Sequence, residues 1–406
     1  MRLSPRQTPA ALLPAVTLVA ALAAPVAQAA EPPATATSAV AVERSDRAVP
    51  GQYIVTLKPG RAPGEIVRAL GITPTFRYTH ALNGFAADLD PLLLRTVRTH
   101  PAVKAVEENA TLTVPEIAAD RSGDMPGQAG RAPAATWGLD RINQRNLPLD
   151  GEFTTRGHGA GATAYILDSG IDFGHEQFGG RAAPGFDAVG DGRNGLDCHG
   201  HGTHVAGTVA GRTFGVAPQA RLVAVRVVDC TGNGDTAQAI AGLDWVARNA
   251  QHPAVLNASL GEGRSQALNN ATTALAAQGV LPVVSAGNEA ADACTVSPAS
   301  ADRTVTVAAS NREDQQSTFS NWGRCVTLYA PGQSIESAKL GGGSTTLSGT
   351  SMAAPHVTGA AALYTAQHPQ ATPAETAAHL TRTATTGALT TVHKETPNRL
   401  LFTGGL

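Results

Sequence analysis

The chain has 406 residues, with 30 Lys and Arg against 32 Asp and Glu, a formal charge of −2. This balance, without a long basic or acidic block, excludes nucleic acid as a favoured partner. Charged residues make up only 15% while glycine reaches 43, a composition suited to a large core with close backbone approaches, and the length allows two or three folding units.

Residues 1–30 read as a secretory signal: Arg2 and Arg6 precede an apolar run over 10–26, and Ala27-Gln28-Ala29-Ala30 supplies a small-residue exit. The run is short and broken by Pro14 and Pro25, which argues against a retained membrane span. The remainder is expected to be soluble, secreted and extracellular. Residues 31–49, rich in Ala, Pro, Thr and Ser, read as a spacer.

A small domain over 50–114 comes next. Strand-like residues 53–57, a short helix over 62–70, two strands within 76–89 turning at Asn83-Gly84, a helix over 92–100 and a strand over 103–107 give the order βαββαβ. That order is the α+β, ferredoxin-like arrangement. Residues 115–135 turn to Pro, Gly, Ala and Asp without apolar period and read as an exposed linker open to cleavage.

The region 136–406 alternates apolar strands near 163–167, 222–228, 255–259, 280–285 and 304–308 with helices over 203–210, 236–249 and 266–278. Strands that are apolar throughout and separated by helices predict a three-layer α/β domain with a mostly parallel sheet. Ligands of such sheets bind beyond the carboxyl ends of the strands. The four cysteines, Cys198, Cys230, Cys294 and Cys325, belong to an exported chain and are expected as disulfides, with three connectivities open.

Three stretches carry chemistry. Asp168 ends the first strand of this region, where a buried carboxylate needs a partner. The run 197–207 places three histidines within six positions but lacks the H-E-x-x-H metal arrangement. His201, between two glycines just before a helix, is the candidate working imidazole; His204 falls inside the helix and reads as packed, and His199 has no assigned role. Ser351 lies in Gly349-Thr350-Ser351-Met352-Ala353-Ala354-Pro355-His356, suited to a helix N-terminus where dipole and free amides favour a developing anion. His356 reads as packing.

The order Asp, His, Ser is that of subtilisin, whereas lipase-type hydrolases run Ser, Asp, His, and beyond Ser351 the chain has no Asp. The motifs around Asp168, His201 and Ser351, with Ser259-Leu260-Gly261 and Ser285-Ala286-Gly287-Asn288, resemble those of subtilisin-type serine proteases, in particular the proteinase K and aqualysin group. The resemblance covers the second domain from Trp137 to Phe402 and implies the following. Asp168, His201 and Ser351 form a triad, and the Asn288 amide with the Ser351 N–H holds the oxyanion. A polypeptide substrate lies between Gly232-Asn233-Gly234 and Ser259-Leu260-Gly261, with Ala286 and Gly287 on the far wall of an open first pocket for apolar or aromatic side chains. Glu262 stands where many relatives carry glycine and is expected to disfavour acidic residues near the cleaved bond.

The resemblance also implies Cys198–Cys230 and Cys294–Cys325 pairing, no cofactor for catalysis, and structural calcium in relatives. Thr327 replaces an aspartate that often binds it, and hard cations want carboxylate oxygens. Residues 50–114 resemble an inhibitor-type propeptide that assists folding and blocks the cleft of a self-processing, monomeric zymogen. A secreted esterase and an inactive binding homologue are the competing readings.

Overall fold

The computed structural model describes residues 39–114 and 134–406. The signal segment and most of the linker read at 115–135 lie outside the described residues. The small domain consists of β1 (Val42–Glu43), β2 (Ala48–Leu57), α1 (Pro63–Ala69), β3 (Phe76–Tyr78), β4 (Gly84–Asp88), α2 (Pro91–Thr99) and β5 (Val103–Thr113). Proline in the first turn starts both helices, and Asp90 caps α2 by accepting from the N–H groups of Leu92 and Leu93. The order β1-β5-β2-β4-β3 contains the ferredoxin-like arrangement.

Two boundaries differ from the sequence reading. Val42 and Glu43 pair in parallel with Val106 and Glu107, and β2 begins at Ala48, so part of the stretch read as spacer belongs to the sheet. β5 continues to Thr113 rather than stopping at 107, because its second half finds a pairing partner in the larger domain. Alternate residues serve two cores: Val55 and Phe85 pack with Val67 and Val97 of the domain's own helices, whereas Ile54 and Ala86 join Ile240 and Leu243 of the larger domain.

The larger domain contains α3 (Trp137–Asn143), β6 (Thr163–Asp168), β7 (Ala182–Asp187), α4 (His201–Ala210), β8 (Arg221–Arg226), β9 (Asn233–Asp235), α5 (Thr236–Asn249), β10 (Ala254–Ala258), β11 (Glu262–Gly263), α6 (Gln266–Ala277) and β12 (Val280–Ser285). It continues with β13 (Val296–Ser297), β14 (Val305–Ser310), β15 (Leu328–Pro331), β16 (Ile335–Ala338), β17 (Ser344–Leu347), α7 (Thr350–Gln367), α8 (Pro373–Thr383), β18 (Thr385–Thr386) and β19 (Arg399–Leu400). Nine strands form one sheet in the order β18-β19-β15-β14-β12-β10-β6-β8-β7. Only β18 with β19 is antiparallel in it.

Within β6, Ala164 and Ile166 face the core shared with α4 and α7, and Tyr165 and Leu167 face the core shared with α5 and α6. The same alternation in β12 separates Leu281 and Val283 from Val280 and Val284. This is the three-layer α/β fold expected. Helix α7 is buried without interruption from Thr350 to Leu363, which its run of small residues permits; the imidazole of His356, the one large polar side chain in that run, is accommodated by a contact with Met352 O. β6 lies between β8 and β10, so the chain reverses direction across the sheet at this strand, and a crevice is expected at its carboxyl end. Asp168 is the residue there.

Candidate active site

Asp168, fully buried, accepts at Oδ1 from its neighbour's N–H (Ser169, 2.8 Å) and lies 2.8 Å from His201 Nδ1. His201 is the first residue of α4 rather than the residue before it, because Gly200 adopts the left-handed conformation (φ 104°) that lets the chain turn into the helix there. Its ring is 2% exposed, and Nε2 has no partner among the described residues. Ser169 Oγ links this turn to Asp197, which also accepts from the N–H groups of His199, Gly200 and Thr203. One buried carboxylate thus fixes the loop that presents His201.

Ser351 occupies the second position of α7, just after Gly349. Its Oγ donates to Ser259 O at 3.1 Å, and its own carbonyl accepts from Ser259 Oγ at 2.9 Å. Asn288 follows β12, and its Oδ1 accepts from both Thr350 N (2.8 Å) and Thr350 Oγ1 (2.9 Å). With the oxygen occupied, the Nδ2 end of the amide is left for the cleft.

The predicted cleft edges come together, and the small domain fills them. Thr111, Leu112 and Thr113 of β5 pair antiparallel with Asp235, Gly234 and Asn233 of β9; Thr113 bridges Gly261, and Val114 N–H donates to Gly232 O at 3.0 Å. Gly234 has no room for a side chain, since a Cβ would stand 2.3 Å from Val227 O. Leu260 is buried, Ala286 N–H donates to Val307 O, and Gly287 (φ 103°) donates to Thr350 Oγ1 at 3.1 Å. Glu262 contributes backbone pairing with Ser297.

The disulfides are Cys198–Cys230 and Cys294–Cys325, the pairing the resemblance implied. The first joins the loop before His201 to the loop before Gly232. His204 and His356 are fully enclosed: His204 Nε2 lies 3.0 Å from Ile335 O, and His356 Nδ1 lies 2.9 Å from Met352 O. Burial holds His204 down at about 3 and His356 at about 4, so both are neutral packing groups. Thr327 Oγ1 accepts from Thr306 N, a structural bond.

Two grips of the small domain escaped the sequence reading because each joins residues more than a hundred positions apart. Asp244 Oδ1 on α5 accepts from the N–H groups of Thr79, His80 and Ala81 at 2.9, 2.6 and 2.8 Å. Glu107, 5% exposed, accepts from Ser265 Oγ at 2.9 Å and from the first N–H groups of α6, acting as a helix cap supplied by the other domain. The Ser259–Ser351 pair and the Thr350 clamp on Asn288 were also not foreseen.

Residues 159–400 match the Subtilase family, and residues 71–115 match Peptidase inhibitor I9. An extracellular serine proteinase of Thermus sp. is 43% identical over 383 residues, covering 88% of this chain and 90% of the relative. Alkaline serine exoprotease A of Vibrio alginolyticus is 44% identical over 80% of this chain, which spans 59% of that relative's length. A cold adapted subtilisin-like serine proteinase of known crystal structure is 47% identical, with a TM-score of 0.65 over 66% of this chain and 98% of its own. The chain belongs to the subtilase family of serine proteases and carries an inhibitor domain of the I9 type.

Proposed function

We propose that the protein is a secreted, broadly specific serine endopeptidase made as a self-processing zymogen, with Asp168, His201 and Ser351 as its triad. The observation that carries this reading is the Asp168–His201 contact of 2.8 Å beside a cleft already holding an extended strand. Asp168 holds the imidazole with Nδ1 protonated and Nε2 free. Ser351 Oγ donates to Ser259 O in this structure and His201 Nε2 has no partner among the described residues, so catalysis requires the hydroxyl to leave Ser259 O and give its proton to Nε2. The alkoxide attacks the peptide carbonyl, Asn288 Nδ2 and the Ser351 N–H take the oxyanion, and His201 then protonates the leaving amine. Water repeats the cycle on the acyl-enzyme.

Main-chain pairing along Gly232–Gly234 and Gly261 binds any extended polypeptide, which supports broad sequence tolerance. Antiparallel β5 occupies that place, so the small domain blocks its own enzyme until cut within the linker. No helix among the described residues is long and apolar enough to cross a membrane. Secretion rests on the signal-like first thirty residues and on the extracellular Thermus relative.

The chemistry needs no cofactor. For structural calcium, the end of α3 and the turn after it fit: Asp140 Oδ1 is buried without a partner, burial and Asp150 raise its carboxyl, and Asn143 and Gln144 carry side-chain oxygens that accept here from Thr154 N–H and Asp150 N–H. A chelator-induced fall in melting temperature that is absent in Asp140→Asn tests this. For the activity, a fluorophosphonate probe decides: labelling and linker cleavage are both lost in Ser351→Ala, and labelling that persists there refutes the assignment.

A further inference from the structure

Helix α7 begins at the cleft with Ser351 and runs through the core to Gln367. At roughly 1.5 Å per residue, its far end lies about 25 Å from Ser351. Beside that end opens a cavity of about 540 Å³, and the turn Pro369-Gln370-Ala371 that lines it also lines a second of about 390 Å³. The second reaches Ala254 and Leu281, at the amino ends of β10 and β12. The two neighbouring cavities form a groove at the opposite pole of the sheet from Asp168 and Asn288.

The groove gathers basic groups. His368 and Arg382 line the first cavity with the amides of Gln367 and Gln370 and the ring of Tyr364. Tyr364 holds His368 at 4.5 Å and stacks on His379 at 4.2 Å, centroid to centroid. Burial, then the charges of Arg382 and His368, hold the His379 imidazole below its ordinary value, so the three groups press on one another. None of the ion pairs among the described residues involves any of them. Glu375, the carboxylate of this lining, is turned to its own helix end, where Oε2 accepts from Thr372 N–H and Oγ1, both at 2.8 Å. A basic cluster in this state is relieved by a bound anion. An extended peptide has no edge to pair with here: β10 and β12 are central strands, the other flanks are α7 and α8, and Pro369 and Pro373 bring no N–H. Amide, hydroxyl and small side chains on the walls suit a hydroxylated ligand instead.

We propose that this groove is an exosite for an acidic saccharide bearing uronate or sulfate groups, with Arg382 and His368 taking the anionic groups and Gln367 and Gln370 the hydroxyls. Because the groove and the cleft lie at opposite poles, a polymer bound here tethers the enzyme to an acidic matrix and leaves Ser351 free. Arg382 and His368 are exposed to solvent, so the binding is modest and screened by salt.

The test uses uncut Ser351→Ala precursor, in which β5 keeps the cleft filled, so that any binding is to another surface. Calorimetry at pH 6 and low salt with a chondroitin sulfate tetrasaccharide is expected to show saturable binding that high salt abolishes. Arg382→Gln weakens it by roughly 2- to 5-fold, and adding His368→Gln removes it, with unfolding midpoints equal to the parent's. The ring resonances of His368 and His379 shift with the saccharide in the parent. Binding that the double variant keeps, or equal binding of neutral maltotetraose, overturns the proposal. Inorganic sulfate bound as tightly overturns the recognition of sugar, and a tetraglutamate peptide bound more tightly overturns it in favour of an acidic peptide. The binding measurement needs no activity and is independent of the protease reading.

Discussion

Ser259 and Ser351 hold each other through two hydrogen bonds of opposite sense, Ser351 Oγ to Ser259 O at 3.1 Å and Ser259 Oγ to Ser351 O at 2.9 Å. The second is available because Pro355, four residues after Ser351 inside α7, has no N–H to donate to that carbonyl. A helix break that would ordinarily weaken α7 is thereby turned into a joint between Ser351, the proposed nucleophile, and the strand end at Ser259. Asn257 Nδ2 donates to the same Ser259 hydroxyl at 2.8 Å and completes the joint.

Ser259→Ala leaves the Ser351 carbonyl buried and unpaired, at a cost of about 1–3 kcal/mol. A lower melting temperature and a several-fold fall in kcat with little change in KM are expected, since the backbone edge at Ser259 is kept. Unaltered thermal unfolding would show that the joint carries no load.

Asn288→Ala removes the side-chain half of the proposed oxyanion site. A fall of roughly 10²–10³ in kcat is expected, a magnitude borrowed from the same asparagine deletion in subtilisin, a member of this family. Asn288→Asp should be at least as damaging, because Thr350 still fixes one oxygen and the other meets the developing anion. Steady-state kinetics separate this from a folding defect, which would lower the active-site titre instead.

Glu107 makes the inhibitor interface sensitive to pH. Burial, then repulsion from Glu43 on the adjacent strand, pushes its carboxyl up from 4.5 to about 7. A raised carboxyl favours the folded interface in its protonated form, so this contribution is full below about 4.5 and is lost as pH rises to about 7. In uncut Ser351→Ala precursor, the denaturation midpoint of Glu107→Gln relative to its parent should therefore improve between pH 5 and 8. A constant difference across that range contradicts the assignment.

His204 and His356 act in the opposite direction on the larger domain. Both are held below 6.5 by burial, so the unfolded chain takes up protons that the fold refuses. Their contribution is full above about 6.5 and falls away as pH drops toward 4 to 3. NMR resonances of both rings should stay unshifted from pH 8 to 5, and His356→Asn should flatten the acid side of the stability curve. Titration of either ring near 6.5 would refute this.

The sequence by itself determined the local features: the alternating and continuous apolar runs that became β2, β6, β10 and β12, and the small-residue motifs holding Asp168, His201 and Ser351. Each is written in neighbouring residues, through side-chain periodicity and glycine's access to left-handed backbone. Only the tertiary structure decided the long-range pairings. The cap that Glu107 offers α6, the three N–H groups gathered by Asp244 and the Ser259–Ser351 joint depend on which segments fold against one another. Hydrogen bonds and charges act over a few ångströms of space, and no local pattern encodes which distant residue will supply the partner.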